Sequence, residues 1–181
     1  MQQVPSVDAV RPARCPRCGL AGRVPGLPLG LVGHGLRERQ LRGPPSAKEE
    51  AATRSLRVRC YRCRGCRAVV RVVPRGVVAR RHFAAGAIGV ALFVFGKLAQ
   101  SAAVAASKVG GWGQGTSAWR TLRRWLAAID EGRLFPCVRA SPPGWRPRQR
   151  AERAAMTLAS LVPATDAELG DKVFAGAALA A

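Results

Sequence analysis

Two cysteine pairs are the residues of this chain whose spacing points most directly to chemistry. The segment CPRCG places Cys15 and Cys18 on one tight turn, where backbone amides can point at sulfur and Gly19 can take a positive φ. A second pair with the same two-residue spacing, Cys63 and Cys66, lies in RCYRCRGC. Two such turns supply the four soft ligands of a closed tetrahedral zinc site. We therefore expect one structural Zn²⁺ bound by these four cysteines.

Cys60 provides an alternative ligand, because Cys60-x-x-Cys63 is an equally spaced pair. The Cys63/Cys66 pair is favoured because Gly65 precedes its last cysteine and a strand-like segment, 68–73, follows it, as expected for a turn that leads back into a sheet. Cys60 would then be a buried thiol within the preceding strand. A catalytic metal is not indicated, since neither histidine of the chain lies in an HExxH or HxE motif.

The charge of the chain is strongly positive and unevenly distributed. The 181 residues include 30 Lys/Arg and 10 Asp/Glu, and residues 1–81 hold 18 of the basic residues but only four acidic ones. A field of this kind attracts polyanions, so nucleic acid or an anionic membrane surface is the expected partner, rather than a small-molecule substrate. A GC-rich genome accounts for part of the arginine content, but it does not explain the shortage of acidic residues.

The elements that must position the cysteines are strands. Residues 29–41 and 56–73 are predicted to be β segments, and a turn-rich loop at 43–53 separates them. In the second segment Leu56, Val58 and Cys60 alternate with arginines, a roughly period-two pattern typical of strands. We therefore predict a zinc ribbon over 14–76. The polar, proline-interrupted residues 1–13 are predicted to be a disordered lead.

A helical domain is predicted over 80–132. Residues 83–108 form an apolar stretch of helical character with two interruptions, consistent with one helix or two. The glycine-rich segment 110–115 indicates a turn, and Thr116 or Ser117 is a suitable N-cap for a following helix.

This last helix is predicted to be amphipathic. Its apolar face consists of Trp119, Leu122, Leu126 and Ile129. A capped, arginine-rich helix that follows a turn suits the second helix of a helix-turn-helix. A solvated helix in a small bundle is the alternative. The candidate nucleic-acid contacts are Arg120, Thr121, Arg123 and Arg124 on this helix, together with Arg37 and Arg39 in the ribbon.

The segments CPRCG, GHGLRER, VRCYRCRGCRAVVRVVP and RTLRRWL together resemble a family of uncharacterised bacterial proteins that carry a transposase-like zinc ribbon followed by a helix-turn-helix. The resemblance covers about residues 14–130. It implies that the two cysteine pairs bind zinc and that Arg120, Arg123 and Arg124 lie on a DNA-recognition helix. Nothing after Asp130 resembles a nuclease domain, so transposition chemistry is not expected.

The remaining segments are predicted to be peripheral. Residues 133–150 form a basic, proline-rich linker, and 151–181 form short, loosely ordered helices. The first residues lack the apolar core of a signal peptide, so we expect a cytoplasmic protein with reduced thiols. Residues 84–106 are long enough to span a membrane, but their Ala/Gly content and the charge of Lys97 disfavour insertion.

The sequence thus predicts an α+β protein, with a small zinc-ribbon β domain followed by an all-α helix-turn-helix-like domain. Its expected function is non-enzymatic, zinc-dependent binding of double-stranded DNA, as a transposon-associated protein or a regulator. An RNA- or protein-binding ribbon with the helices as a scaffold is one alternative. A membrane-anchored protein with a cytosolic ribbon is another. The oligomeric state is not indicated.

Overall fold

The computed structural model describes residues 4–79, 81–110, 119–163 and 166–181. These residues form a three-stranded antiparallel sheet and five helices, so the predicted α+β class is confirmed. The chain divides into two compact units, which we call the cysteine unit and the helical unit. The cysteine unit comprises Met1–Gln40 and Ser55–Pro74, and the helical unit comprises Leu41–Arg54 and Arg75–Ala181.

The sheet is formed by the two regions that were predicted to be β segments. Its strands, in the order β1-β2-β3, are β1 (Leu31–Gly43), β2 (Ala52–Cys63) and β3 (Val69–Val72). Strands β2 and β3 are antiparallel, with Cys60 opposite Arg71 and Tyr61 opposite Val70. Within β2, Leu56, Val58 and Cys60 are buried and Arg57 is exposed, whereas Tyr61, next to Cys60, is buried as well. The predicted period-two pattern is therefore confirmed over residues 56–60.

The expectation of a disordered lead is wrong for residues 4–13, which lie against β2. The Tyr61 hydroxyl donates a hydrogen bond to the Val7 carbonyl at 2.6 Å, and Arg59 Nε donates to the Pro5 carbonyl at 2.9 Å. The Arg11 guanidinium lies 5.6 Å from the centroid of the Tyr61 ring. These partners come from a strand about 50 residues away in the sequence, so the composition of the lead gave no sign of them.

The tip of the β1–β2 hairpin belongs to the helical unit. The Arg42 amide donates to the His82 carbonyl at 2.7 Å, and the Ala84 amide donates to the Arg42 carbonyl at 2.9 Å. These bonds attach residues 41–54 to the residues that precede the first helix. The boundaries of the cysteine unit therefore differ from the continuous segment 14–76 predicted for the ribbon.

The helical unit is built around one buried helix. The helices are α1 (Ala85–Gly96), α2 (Ala102–Lys108), α3 (Arg120–Asp130), α4 (Pro147–Ala159) and α5 (Leu169–Leu179). Helix α1 packs against α2, α4 and α5, and most of its residues are buried. Because α1 is apolar on all sides, it can be surrounded by other helices. The predicted interruption separates α1 from α2, which begins after Ser101, whose hydroxyl accepts a hydrogen bond from the Val104 amide at 3.2 Å.

Residues 84–106 do not form one long helix. Within the described ranges, no helix is long and apolar enough to cross a lipid bilayer. Helix α1 has 12 residues, a length of about 18 Å, whereas the hydrocarbon core of a bilayer is about 30 Å thick. The apolar stretch is instead divided between α1 and α2.

The prediction of a basic linker over 133–150 is also incorrect. Leu134, Phe135 and Val138 are buried in the core of the helical unit, and α4 begins at Pro147, inside the segment expected to be a linker. Proline is well suited to the first turn of a helix, where its missing N–H costs no hydrogen bond. The proline- and arginine-rich segment that suggested a linker therefore contains the first residues of α4.

The C-terminal helices are part of the core rather than loosely ordered. Helices α4 and α5 pack against each other and against α1. A Cβ atom added at Gly176 would lie 1.8 Å from the Leu158 carbonyl oxygen, and one added at Gly96 would lie 2.3 Å from the Glu152 nitrogen. Small residues thus allow close approach of helix backbones. The sequence did not reveal this because alanine and glycine give a weak hydrophobic pattern.

The helix-turn-helix remains a prediction. The main contacts of α3 are with α4 and α1, whereas those of α2 are with α1. The predicted N-caps Thr116 and Ser117, and the glycine turn after residue 110, lie outside the described residues. Helix α3 begins after Trp119, whose ring makes an edge contact with that of Trp125 at a centroid distance of 4.9 Å.

Candidate metal centre and basic surfaces

The first cysteine pair lies on a tight turn of the expected type. The Gly19 amide donates to the Cys15 carbonyl at 2.9 Å, and the Cys15 amide donates to the Leu20 carbonyl at 2.8 Å. Gly19 has a φ of +74°, the left-handed conformation that its position in the motif predicted. The turn thereby brings Cys15 and Cys18 to the same side.

The second pair repeats this backbone arrangement with a different residue at the left-handed position. The Arg67 amide donates to the Cys63 carbonyl at 3.1 Å, and the Cys63 amide donates to the Ala68 carbonyl at 2.9 Å. Arg67 has a φ of +61° and is thus the counterpart of Gly19.

Gly65, which the sequence had singled out in this turn, has a different role. A Cβ atom there would lie 3.3 Å from Leu20 Cδ2 and 3.8 Å from Cys18 Sγ. The absence of a side chain at Gly65 therefore leaves room beside the sulfur atoms.

The four predicted thiols come together. The sulfur atoms of Cys15, Cys18, Cys63 and Cys66 all lie within 4.8 Å of one another. The distance from Cys15 Sγ to Cys66 Sγ is 3.7 Å, and that from Cys18 Sγ to Cys63 Sγ is 3.6 Å. Sulfurs about 2.3 Å from a tetrahedral metal lie about 3.8 Å apart, whereas those of a disulfide are about 2.05 Å apart. The cluster could therefore hold a metal ion.

The surroundings of the cluster favour the thiolate form of Cys15. The backbone amide of Arg17, followed by that of Cys18, lowers the pKa of the Cys15 thiol to about 6, although burial acts in the opposite direction. Thiolates, rather than thiols, bind metals. The buried sulfurs belong to Cys15 and Cys63, while Cys66 is half-buried and Cys18 is exposed.

The alternative ligand Cys60 lies elsewhere in the unit. Its side chain is 1% exposed within β2, and it does not belong to the four-thiol cluster. Beneath the cluster, Leu31 and Tyr61 pack with the buried cysteines in a small apolar core. The structure thus brings together the favoured set of four thiols, with Cys60 in the position of an ordinary buried residue.

Several acidic residues of the helical unit make ion pairs. Asp130 pairs with Arg150, and Glu131 pairs with Arg133. Lys48 Nζ lies 3.5 Å from Glu168 Oε1 and 3.3 Å from Asp171 Oδ2. Among the described residues, the thiol cluster is the one His/Cys/Asp/Glu grouping with the spacing of a metal site. These carboxylates therefore have structural partners.

Helix α3 has the amphipathic character that the sequence predicted. Arg120, Arg123 and Arg124 are exposed, and Thr121 is half-buried. The buried residues of this helix are Leu122, Trp125, Leu126, Ala128 and Ile129, so Trp125 joins the predicted apolar face. The exposed face is strongly basic.

The two candidate residues of the ribbon lie in the cysteine unit. Arg37 is exposed on β1 and Arg39 is half-buried. Burial, and then the charge of nearby Arg71, lower the pKa of Arg39. The unit as a whole contains twelve arginines and two acidic residues. Like charges are thus held close together here with few carboxylates to offset them.

Sequence reasoning missed a second basic and aromatic feature in the segment that it interpreted as a linker. Trp145 is 38% exposed, and the Arg153 guanidinium lies 5.6 Å from the centroid of its ring. One tryptophan followed by three arginines in WRPRQR is a combination suited to nucleic-acid contacts, but the prolines suggested a spacer.

Comparisons with known proteins do not identify a family for this chain. No protein-family model matches the chain, and no curated protein or solved structure matches it either. The resemblance to proteins with a transposase-like ribbon therefore remains a prediction.

Proposed function

We propose that the cysteine unit is folded around one structural Zn²⁺. Four thiolates at tetrahedral spacing are the donor set that suits zinc, and they leave no coordination position for water. Zinc bound to such a set contributes about 10–16 kcal/mol, which is folding free energy when the unfolded chain has no preformed site. The metal would hold together a unit whose own apolar core is small.

Metal substitution tests this assignment. The purified chain should contain one zinc per molecule, and cobalt exchanged into the site should give the visible and near-ultraviolet bands of tetrahedral cobalt with thiolate ligands. Absence of bound metal after purification under reducing conditions, together with failure to bind added cobalt, would contradict the proposal.

We further propose that the protein binds nucleic acid, in the first instance double-stranded DNA, without a catalytic centre of its own. The observation that carries this proposal is the exposed basic face of α3, where Arg120, Arg123 and Arg124 lie opposite a buried apolar face. The carboxylate at the end of this helix, Asp130, is paired with Arg150 and does not neutralise that face. Arginines on an exposed helix are suited to neutralising phosphates.

The test is a salt titration with a matched variant. With about six phosphate contacts, duplex affinity should fall about a thousandfold between 50 and 200 mM salt. The double variant Arg123→Ala/Arg124→Ala should weaken binding. It should also reduce the slope of log affinity against log salt concentration by the amount expected for about two phosphate contacts. Arg133→Ala is the control, because Arg133 is also exposed but is paired with Glu131. Salt-independent binding, or an equal loss in the control, would contradict a phosphate-binding role for α3.

RNA binding by the cysteine unit is the second candidate, in which the helices act as a scaffold. It is favoured by the excess of arginine in that unit and by the proximity of Arg39 to Arg71. In this case Arg37→Ala/Arg71→Ala should weaken binding to an RNA hairpin, whereas the α3 double variant should bind it like the parent.

A role as a transposon-associated protein or a regulator would follow from the resemblance of the cysteine turns and of RTLRRWL to transposase-like proteins. Both roles require duplex binding with sequence preference. Selection of bound sequences from a random duplex library would separate them from general DNA binding, which would yield no enriched motif.

A further inference from the structure

The segment between residue 138 and α4 displays an aromatic ring on a well-anchored turn. The Ser141 amide donates to Asp130 Oδ1 at 3.0 Å, and the Trp145 amide donates to the Pro142 carbonyl at 3.4 Å. Gly144, with a φ of +83°, completes this turn. The Arg146 amide then donates to Gln149 Oε1 at 2.9 Å, at the start of α4. The segment is thus held at both ends, with Trp145 near its C-terminal end.

The exposure of Trp145 contrasts with that of another tryptophan of the helical unit. The side chain of Trp125 is 1% exposed in the core, whereas that of Trp145 is 38% exposed. Exposing an indole to water is unfavourable, and large exposed aromatic groups are common at binding surfaces. Arg153 contributes a guanidinium 5.6 Å from the ring centroid, a geometry that favours cation–π attraction.

One arginine lies beside this ring, and two more lie in the chain on either side of its turn. Arg139 and Arg146 flank the turn and are exposed, and Arg153 lies beside the ring. Across the described ranges, no carboxylate forms an ion pair with any of these three arginines. The nearest carboxylates in sequence have other partners, since Glu131 pairs with Arg133 and Glu152 pairs with Lys97.

We propose that Trp145 and Arg153, with Arg139 and Arg146, form a stacking site for unpaired bases of single-stranded nucleic acid. The indole would stack on a base while the arginines contact the adjacent phosphates. An exposed aromatic ring surrounded by arginines is the combination that binds single strands, because every base has a face for stacking and every nucleotide carries a phosphate. Bases within a closed duplex are stacked on one another, so the indole would not reach their faces. The inference rests on the proposed nucleic-acid binding and adds that unpaired strands are recognised.

The experiment compares four full-length proteins with a 20-nucleotide oligothymidylate and with a 20-base-pair duplex. The proteins are the parent, Trp145→Ala, Trp145→Phe and the control Met156→Ala. Met156 is a suitable control because it lies on α4 with a similar exposed fraction, 39%. Trp145→Ala should weaken oligothymidylate binding roughly 5- to 150-fold and leave duplex binding within about twofold of the parent. Trp145→Phe should retain part of the affinity because its ring can stack.

Intrinsic fluorescence provides a second readout that does not depend on affinity alone. Oligothymidylate should quench the tryptophan emission of the parent and of Met156→Ala, and the quenching should be largely lost in Trp145→Ala. Arg153→Ala should weaken oligothymidylate binding and reduce its dependence on salt.

The outcomes distinguish this inference from the proposed function. If the parent binds duplex but Trp145→Ala binds oligothymidylate as the parent does, the stacking site is refuted and nucleic-acid binding stands. If the parent binds neither the oligothymidylate nor the duplex at low salt, both proposals fail. If Trp145→Ala instead abolishes binding to vesicles of phosphatidylcholine and phosphatidylglycerol, without an effect on oligothymidylate, the surface binds lipid and the stacking site is refuted.

Discussion

Replacing Cys63 and Cys60 separately provides the most direct test of the metal centre, because the two residues belong to the same strand but have different environments. Cys63 Sγ lies 3.6 Å from Cys18 Sγ in the thiol cluster. Cys60 is 1% exposed and lies outside the cluster. Cys63→Ser should therefore remove the metal, whereas Cys60→Ser should retain it.

The expected loss of stability for Cys63→Ser follows from the size of the unit. Apart from the cysteines, the buried core beneath the cluster consists of Leu31 and Tyr61, and Leu56 and Val58 of β2 are also buried in the unit; burying each contributes about 1.5–3 kcal/mol. Closing the chain between Cys18 and Cys63, which are 45 positions apart, costs about 3 kcal/mol in loop entropy alone. Without the 10–16 kcal/mol associated with zinc, these contributions do not offset the ordering of the whole unit. The unit should then be unfolded.

Cys60→Ser should cost much less. It places a hydroxyl in a buried position, at a cost of about 1–3 kcal/mol if the group lacks a hydrogen-bond partner. Zinc content after dialysis should be one per chain for the parent and for Cys60→Ser, and close to zero for Cys63→Ser. Near-ultraviolet circular dichroism should show that the environment of Tyr61 is lost only in Cys63→Ser. Loss of zinc from Cys60→Ser, or one full equivalent retained by Cys63→Ser, would refute the assigned ligand set.

Three further substitutions test the fold. Arg67→Gly should stabilise the cysteine unit by about 0.5–1 kcal/mol, because glycine adopts a φ of +61° without strain, and thermal unfolding should show no such gain for Arg64→Gly in the same turn. Asp130→Asn should destabilise the helical unit by about 1–3 kcal/mol in urea titrations, since it leaves a half-buried guanidinium without its carboxylate; an unchanged midpoint would contradict this. Gly176→Ala should cost about 2 kcal/mol or more by the same measurement, because its Cβ would lie 1.8 Å from a carbonyl oxygen of α4, whereas Gly170→Ala should stay within about 1 kcal/mol of the parent.

The cysteine turns could be predicted from the sequence because their geometry is local. A two-residue spacing and a glycine after Cys18 determine a turn that presents both sulfurs on one side, and Gly19 has the expected positive φ. The second turn has the same spacing, but Arg67 takes the left-handed position. Arginine gives no local signal for that conformation, which is maintained by the hydrogen bonds of the turn and by the strands on either side.

The helical unit was harder to predict because its packing depends on small residues. The faces of α3 follow from the spacing of its large apolar and basic side chains. Helices α4 and α5 have no comparable pattern, since their contacts are made by alanine and by glycines such as Gly176. Pattern-based reasoning detects large apolar side chains, so it interpreted these helices as peripheral.

The sequence by itself determined the two cysteine turns, the alternation of the strands and the basic face of α3, because each depends on residues a few positions apart. The tertiary structure alone decided that the four sulfurs of Cys15, Cys18, Cys63 and Cys66 converge while Cys60 stays in the sheet. That choice depends on the pairing of β2 with β3 and on the return of the chain to the first turn. Contacts between distant segments form only when the whole unit folds, so the equal spacing of the two cysteine pairs left both open, and Gly65 and the segment after Cys66 favoured one pair without deciding between them.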